Sequence, residues 1–128
     1  MPVRFSELVI DCADPMRLAT FWQAVLDWEL EEDEEDGEVI VELTGPEGSG
    51  PTLLFVPVPE PKTVKDRIHI DVSPVGTDQA TELDRLLALG AVPVDVGQKP
   101  EHTWVVLADP EGNEFCLLGP HPSTLAPQ

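Results

Sequence analysis

At 128 residues the chain has the size of a single domain with one core. Seven Lys and Arg against 25 Asp and Glu give a formal net charge of −18, which repels phosphate backbones and anionic headgroups and so excludes nucleic acid and membrane surface as partners. No apolar run approaches the ~18 residues of a membrane span, and Met-Pro-Val-Arg-Phe-Ser-Glu is no basic-then-apolar leader, so a cytoplasmic protein is expected.

Glu7 to Cys12 is short, rich in branched apolar residues and stopped by Ala13-Asp14-Pro15, which predicts a strand. Asp14 then caps a helix from Pro15 to Trp28, in which Leu18, Phe21, Trp22, Val25 and Leu26 recur at three- and four-residue steps. Trp22 and Trp28 belong to its core side. The acidic stretch from Glu29 reads as a further strand with a solvated edge whose charges discourage aggregation. It lacks the Asp/Asn and Gly spacing of a calcium loop. Val39 to Leu43 alternates, Thr44 to Gly50 turns, and Thr52 to Val56 returns, making a hairpin.

The second half repeats this order. Arg67 to Val72 is a strand, Asp78 to Leu89 a helix with Ala80, Leu83, Leu86 and Leu87 on one face, and Gly90 its terminator. Ala91 to Val96 is a strand, and Trp104–Ala108 with Glu114–Leu118 form a hairpin around the turn Asp109-Pro110-Glu111-Gly112-Asn113. Ile10-Asp11 is echoed by Ile70-Asp71, Ala19-Thr20 by Ala80-Thr81, and Pro46-Glu47-Gly48 by Pro110-Glu111-Gly112, at offsets of 60, 61 and 64. Echoes in matching order point to an internal duplication. The expected fold is α+β: two βαβββ modules, about 3–60 and 64–119, within one domain spanning 3–119. Their curved mixed sheet forms a cup with the helices on its outer face, and a Pro-rich tail follows at 120–128.

Strand alternation sends successive side chains to opposite faces. Leu8, Ile10 and Cys12 therefore go with the first helix, leaving Glu7, Val9 and Asp11 on the open face. Ile68, Ile70 and Val72 go with the second helix, leaving Arg67, His69 and Asp71. Glu114, Cys116 and Leu118 share a face opposite Phe115 and Leu117. If the modules curl toward each other, Glu7, His69 and Cys116 converge.

Three segments, Asp14-Pro15 with Phe21-Trp22-Gln23-Ala24-Val25-Leu26, His69-Ile70-Asp71, and Asp109-Pro110-Glu111-Gly112-Asn113-Glu114-Phe115, give the chain a family likeness. It resembles the vicinal oxygen chelate superfamily, which includes glyoxalase I, bleomycin-resistance proteins, extradiol dioxygenases and fosfomycin-resistance enzymes, and most of all its small glyoxalase-like proteins. The likeness runs from about Val3 to Gly119. It implies paired βαβββ modules and, in the enzymes, a divalent metal that binds neighbouring substrate oxygens and stabilises an enediolate or related anion.

Carried over by position, the metal ligands fall on Glu7, where the superfamily usually has His or Gln, on His69, which matches, and on Cys116, where Glu is usual. A fourth falls near Thr52 or Leu54, neither a carboxylate. Carboxylate, imidazole and thiolate suit zinc better than magnesium or calcium, and an oxidisable thiolate disfavours dioxygenase chemistry. Each residue also has a plain structural reading: Glu7 as a solvated strand end, His69 as a hydrogen-bonded pocket histidine, and Cys116 as a small buried apolar group. Cys12 is expected in the core, and both cysteines are expected as free thiols. Asp71 and Asp11 are positioned to orient the histidine or move a proton, and Trp104 and His102 to line the cup mouth.

Two functions follow. One is a metal-dependent lyase or isomerase acting on a small oxygen-rich molecule, with zinc as its metal. The other is a metal-free module that binds an aromatic or cationic small molecule, as resistance proteins of the superfamily do. A homodimer is expected on either reading, because unpaired strand edges need cover.

Overall fold

The computed structural model describes residues 2–95 and 103–120. Its elements are β1 (Glu7–Cys12), α1 (Pro15–Leu26), β2 (Glu29–Glu35), β3 (Glu38–Thr44), β4 (Thr52–Pro57), β5 (Ile70–Val72), α2 (Gln79–Leu89), β6 (Val92–Pro93), β7 (Val105–Ala108) and β8 (Glu114–Leu117). The chain divides into two compact units, Met1–Pro61 and Lys62–Gln128. Each holds one helix and one four-stranded mixed sheet, the α+β composition and βαβββ order predicted from the sequence.

Strand order is β1-β4-β3-β2 in the first sheet and β5-β8-β7-β6 in the second, the same arrangement with the elements renumbered. In both, the first strand of the module pairs parallel with its last, and the other pairings are antiparallel. Register repeats as well: Ile10 lies opposite Phe55, and their counterparts sixty residues on, Ile70 and Phe115, lie opposite each other.

In the first unit the Asp14 carboxylate accepts from the Arg17 N–H at 3.2 Å and Pro15 occupies the first helical position. Helix α1 ends at Leu26 because Asp27 turns left-handed, with φ 57. Leu18, Ala19, Phe21 and Trp22 are buried on it, as are Val41, Leu43, Leu53 and Phe55 on β3 and β4. Phe21 and Trp22 meet edge to face, with centroids 5.5 Å apart. Trp28 falls beyond the helix and lies so close to Gly45 that a Cβ there would overlap its ring and the Ser49 hydroxyl. The acidic stretch is a strand, as expected, joined to β3 by Asp36-Gly37, whose φ values of 52 and 80 suit the primed two-residue hairpin turn.

In the second unit Asp78 accepts from the Thr81 N–H at 2.7 Å, and Gly90, with φ 116, closes α2. Leu86 is the buried residue of this helix and Leu87 is exposed, so less of the predicted apolar face is covered than on α1. Gln79 Nε2 fastens the start of α2 to the backbone oxygens of Thr103 and Leu117, at 2.8 and 3.2 Å. Strand β5 is shorter than predicted. It begins at Ile70, and Ile68, expected under the helix, is 77% exposed. Continuing the parallel register would set Ile68 opposite Asn113, which lies in the turn before β8 begins at Glu114. Strand β6 comprises Val92–Pro93, Pro93 being tolerated because β6 is an edge strand. No helix among the described residues is long and apolar enough to cross a membrane.

Candidate metal and ligand site in the second module

Strand β8 lies between β5 and β7, so Cys116 has Asp71 on one side and Val106 on the other. Alternation puts these three side chains on one face, opposite that of Phe115 and Leu117. His69 immediately precedes β5 and Leu118 immediately follows β8. Together with Trp104 they border a cavity of about 330 Å³, whose wall is completed by Lys65, Asp66 and Glu114.

His69 Nε2 lies 3.1 Å from Asp71 Oδ1, both side chains about half exposed. One donor atom each from His69, Asp71 and Cys116 falls within 4.8 Å of the others. Cys116 is buried and a free thiol. Burial pushes its pKa up, the Asp71 charge and an Asp71 hydrogen bond push the same way, and the charge of Lys65 draws it back. Imidazole, carboxylate and thiol form a donor set that can hold a divalent ion, with the thiol giving up its proton on binding.

Behind this trio, Glu114 holds the segment that carries Lys65 and Asp66. Its carboxylate accepts from Lys62 Nζ at 2.8 Å and from the Asp66 N–H at 2.7 Å. Burial would raise the Glu114 pKa, but these two hydrogen bonds and the Lys62 charge outweigh it and hold the group below the usual carboxylate range. Asp66 is displaced the other way, by burial first and by the Glu114 charge second.

Of the residues singled out in the sequence, His69, Cys116 and Asp71 come together, and Trp104 lines the same cavity. Glu7 and Asp11 lie in the first unit, exposed on β1. Register explains why that unit offers no matching trio: Asp11 faces Val56 where Asp71 faces Cys116, and Val9 takes the place of His69. Thr52 and Leu54, near the superfamily's fourth ligand position, lie on β4 opposite Glu7 and Val9. His102 lies outside the described residues. Lys65, Asp66 and Glu114 went unpredicted as site residues. Alternation back from Cys116 placed Glu114 on this face, but nothing in the sequence marked the irregular segment before His69.

A family model described as a glyoxalase-like domain matches residues 7–118. The chain belongs to this family, within the vicinal oxygen chelate superfamily. Comparison of the glyoxalase-like chain with curated protein sequences finds no match. Solved structures share its fold at low identity. The fosfomycin resistance protein FosX from Listeria monocytogenes, in complex with Mn(II) and sulfate, aligns with TM-score 0.71 and 15% identity over 98% of each chain. FosX from Mesorhizobium loti gives 0.70 and 13% over 96% of each. A glyoxalase/bleomycin resistance protein/dioxygenase family enzyme from Burkholderia phytofirmans PsJN gives 0.62 and 17%, covering 88% of this chain and 94% of its own.

Proposed function

We propose that this glyoxalase-like domain is a metal-dependent lyase or isomerase acting on a small oxygen-rich molecule, with His69, Asp71 and Cys116 as metal ligands. The convergence of their donor atoms at the wall of one cavity carries this reading. Listeria FosX in complex with Mn(II) supports it by likeness of fold. A thiolate in the set favours zinc over manganese here. A divalent ion at this position supplies Lewis-acid polarisation of neighbouring substrate oxygens.

The chain's own groups divide the remaining work. Asp71, beside His69, offers an oxygen to the same ion. Cys116 keeps its proton until a cation takes the sulfur. Asp66, at the cavity wall and raised in pKa by burial, is the proton-moving carboxylate on this reading. Asp71, already engaged by His69, serves as a ligand on this reading rather than as the base.

Zinc content of the purified full-length chain by elemental analysis tests the ligand set. Wild type is expected to carry zinc, with occupancy falling at least tenfold in His69→Ala and Cys116→Ala and holding in Asp11→Ala. A metal-free native protein, or unchanged occupancy in His69→Ala, sinks the metal reading. The apolar wall of Trp104, Val106 and Leu118 would then favour a metal-free small-molecule binding protein. Loss of zinc in Glu7→Ala would bring the first module into the ligand set.

A further inference from the structure

The charges around the cavity leave one group over. Asp71 is paired with His69. Glu114 accepts from Lys62 and from the Asp66 backbone, and Asp66 lies 4.0 Å from Lys62 Nζ. Lys65, also on the wall, makes no hydrogen bond or ion pair among the described residues, and its charge reaches the cavity floor at Cys116. The segment bearing it is pinned through its neighbours, because Glu114 grips residues 62 and 66 on either side. An ammonium is therefore presented to a cavity whose apolar wall is Trp104, Val106 and Leu118 and whose carboxylates are already engaged, in a chain whose net charge of −18 repels anions elsewhere.

We infer that Lys65 selects a small anion with an apolar body for this cavity, pairing its ammonium with a carboxylate or phosphonate while the apolar body lies against Trp104. This rests on reading the cavity as a small-molecule site and supplies its substrate class. It reverses the expectation of a cationic ligand, since every carboxylate on the wall already has a partner and the cation does not.

Isothermal titration of the full chain with mandelate and with its neutral amide, mandelamide, tests the inference in zinc-loaded and chelator-treated protein. Both compounds carry a ring and neighbouring oxygens, and they differ in charge. Mandelate is expected to bind about fivefold tighter, the scale of an exposed charge pair. Added salt should shrink the preference, Lys65→Met abolish it and Lys65→Arg keep it. Equal affinity for the two compounds, no binding of either, or a preference intact in Lys65→Met overturns the inference. A Lys65-dependent preference that persists in chelated protein and in His69→Ala leaves the inference standing without the metal. Zinc held by His69 with no such preference leaves the metal standing without the inference.

Discussion

Asp66 and Glu114 are neighbouring carboxylates whose proton affinities the fold drives apart, and their contributions to stability depend on pH with opposite signs. Glu114 has a folded pKa below its unfolded one. Its contribution is present above the ordinary value of about 4.3 and is lost as pH falls through the folded value. Asp66 has a raised folded pKa, so its contribution is present below about 3.9 and is lost as pH rises through the folded value. Thermal melts should therefore show Glu114→Gln less stable than wild type at pH 7 by about 1 kcal/mol, the gap closing toward pH 3. Asp66→Asn should be more stable than wild type at pH 7, by about 0.5 kcal/mol after solvent screening, and level with it at pH 3. A destabilised Asp66→Asn at pH 7 would mean that its tie to Lys62 outweighs its burial. The sequence made His69 and Asp71 legible because residues two apart in extended chain turn their side chains to one face. Asp66 was not legible, because its surroundings are created by a side chain forty-eight residues away.

Among the local elements, the turn from Asp109 to Asn113 is the most tightly specified. Asp109 is 4% exposed. Its Oδ1 accepts from the backbone N–H groups of Glu111 and Asn113 at 2.9 and 3.0 Å, and its Oδ2 from Asn113 Nδ2 at 3.0 Å. Asp109→Ala strands two partly buried N–H groups and should cost about 2–3 kcal/mol in a urea melt. A loss under about 0.5 kcal/mol would show that water replaces the carboxylate. The same turn occupies the positions a longer β5 would need, since the register sets Ile68 opposite Asn113 and β8 begins only at Glu114. Helix caps, β1 and the hairpins were readable from Asp, Pro and Gly placement and from alternation. The alternation of Arg67 to Val72 overstated its strand because pairing depends on a partner that local pattern does not contain. Asp36-Gly37 was a hairpin signal in plain sight, hidden by the acidic residues around it.

Across the whole chain, the duplication is more faithful in backbone than in chemistry. Strand order and register repeat, down to Ile10 opposite Phe55 and Ile70 opposite Phe115. Charge is spread unevenly: β2 is nearly all acidic, and its register puts Glu31 opposite Glu42 and Glu35 opposite Glu38, like-charge pairs that raise the cost of any further strand docking there. The sequence conveyed the paired modules because the echoes kept their order. It conveyed the site only in part, because Cys116 was placed by alternation but its closeness to Asp71 follows from parallel pairing of strands far apart in sequence.

The matched registers make the first module a blank template for the second. Val9, Asp11 and Val56 stand where His69, Asp71 and Cys116 stand, with the carboxylate already in place and Val9 exposed. Two substitutions, Val9→His and Val56→Cys, should write a second binding site into the chain and raise its zinc content by up to one equivalent over wild type. If the content does not rise while the double variant stays folded, backbone register alone does not specify the site, and the irregular segment that carries Lys65 and Asp66 must be transplanted with it.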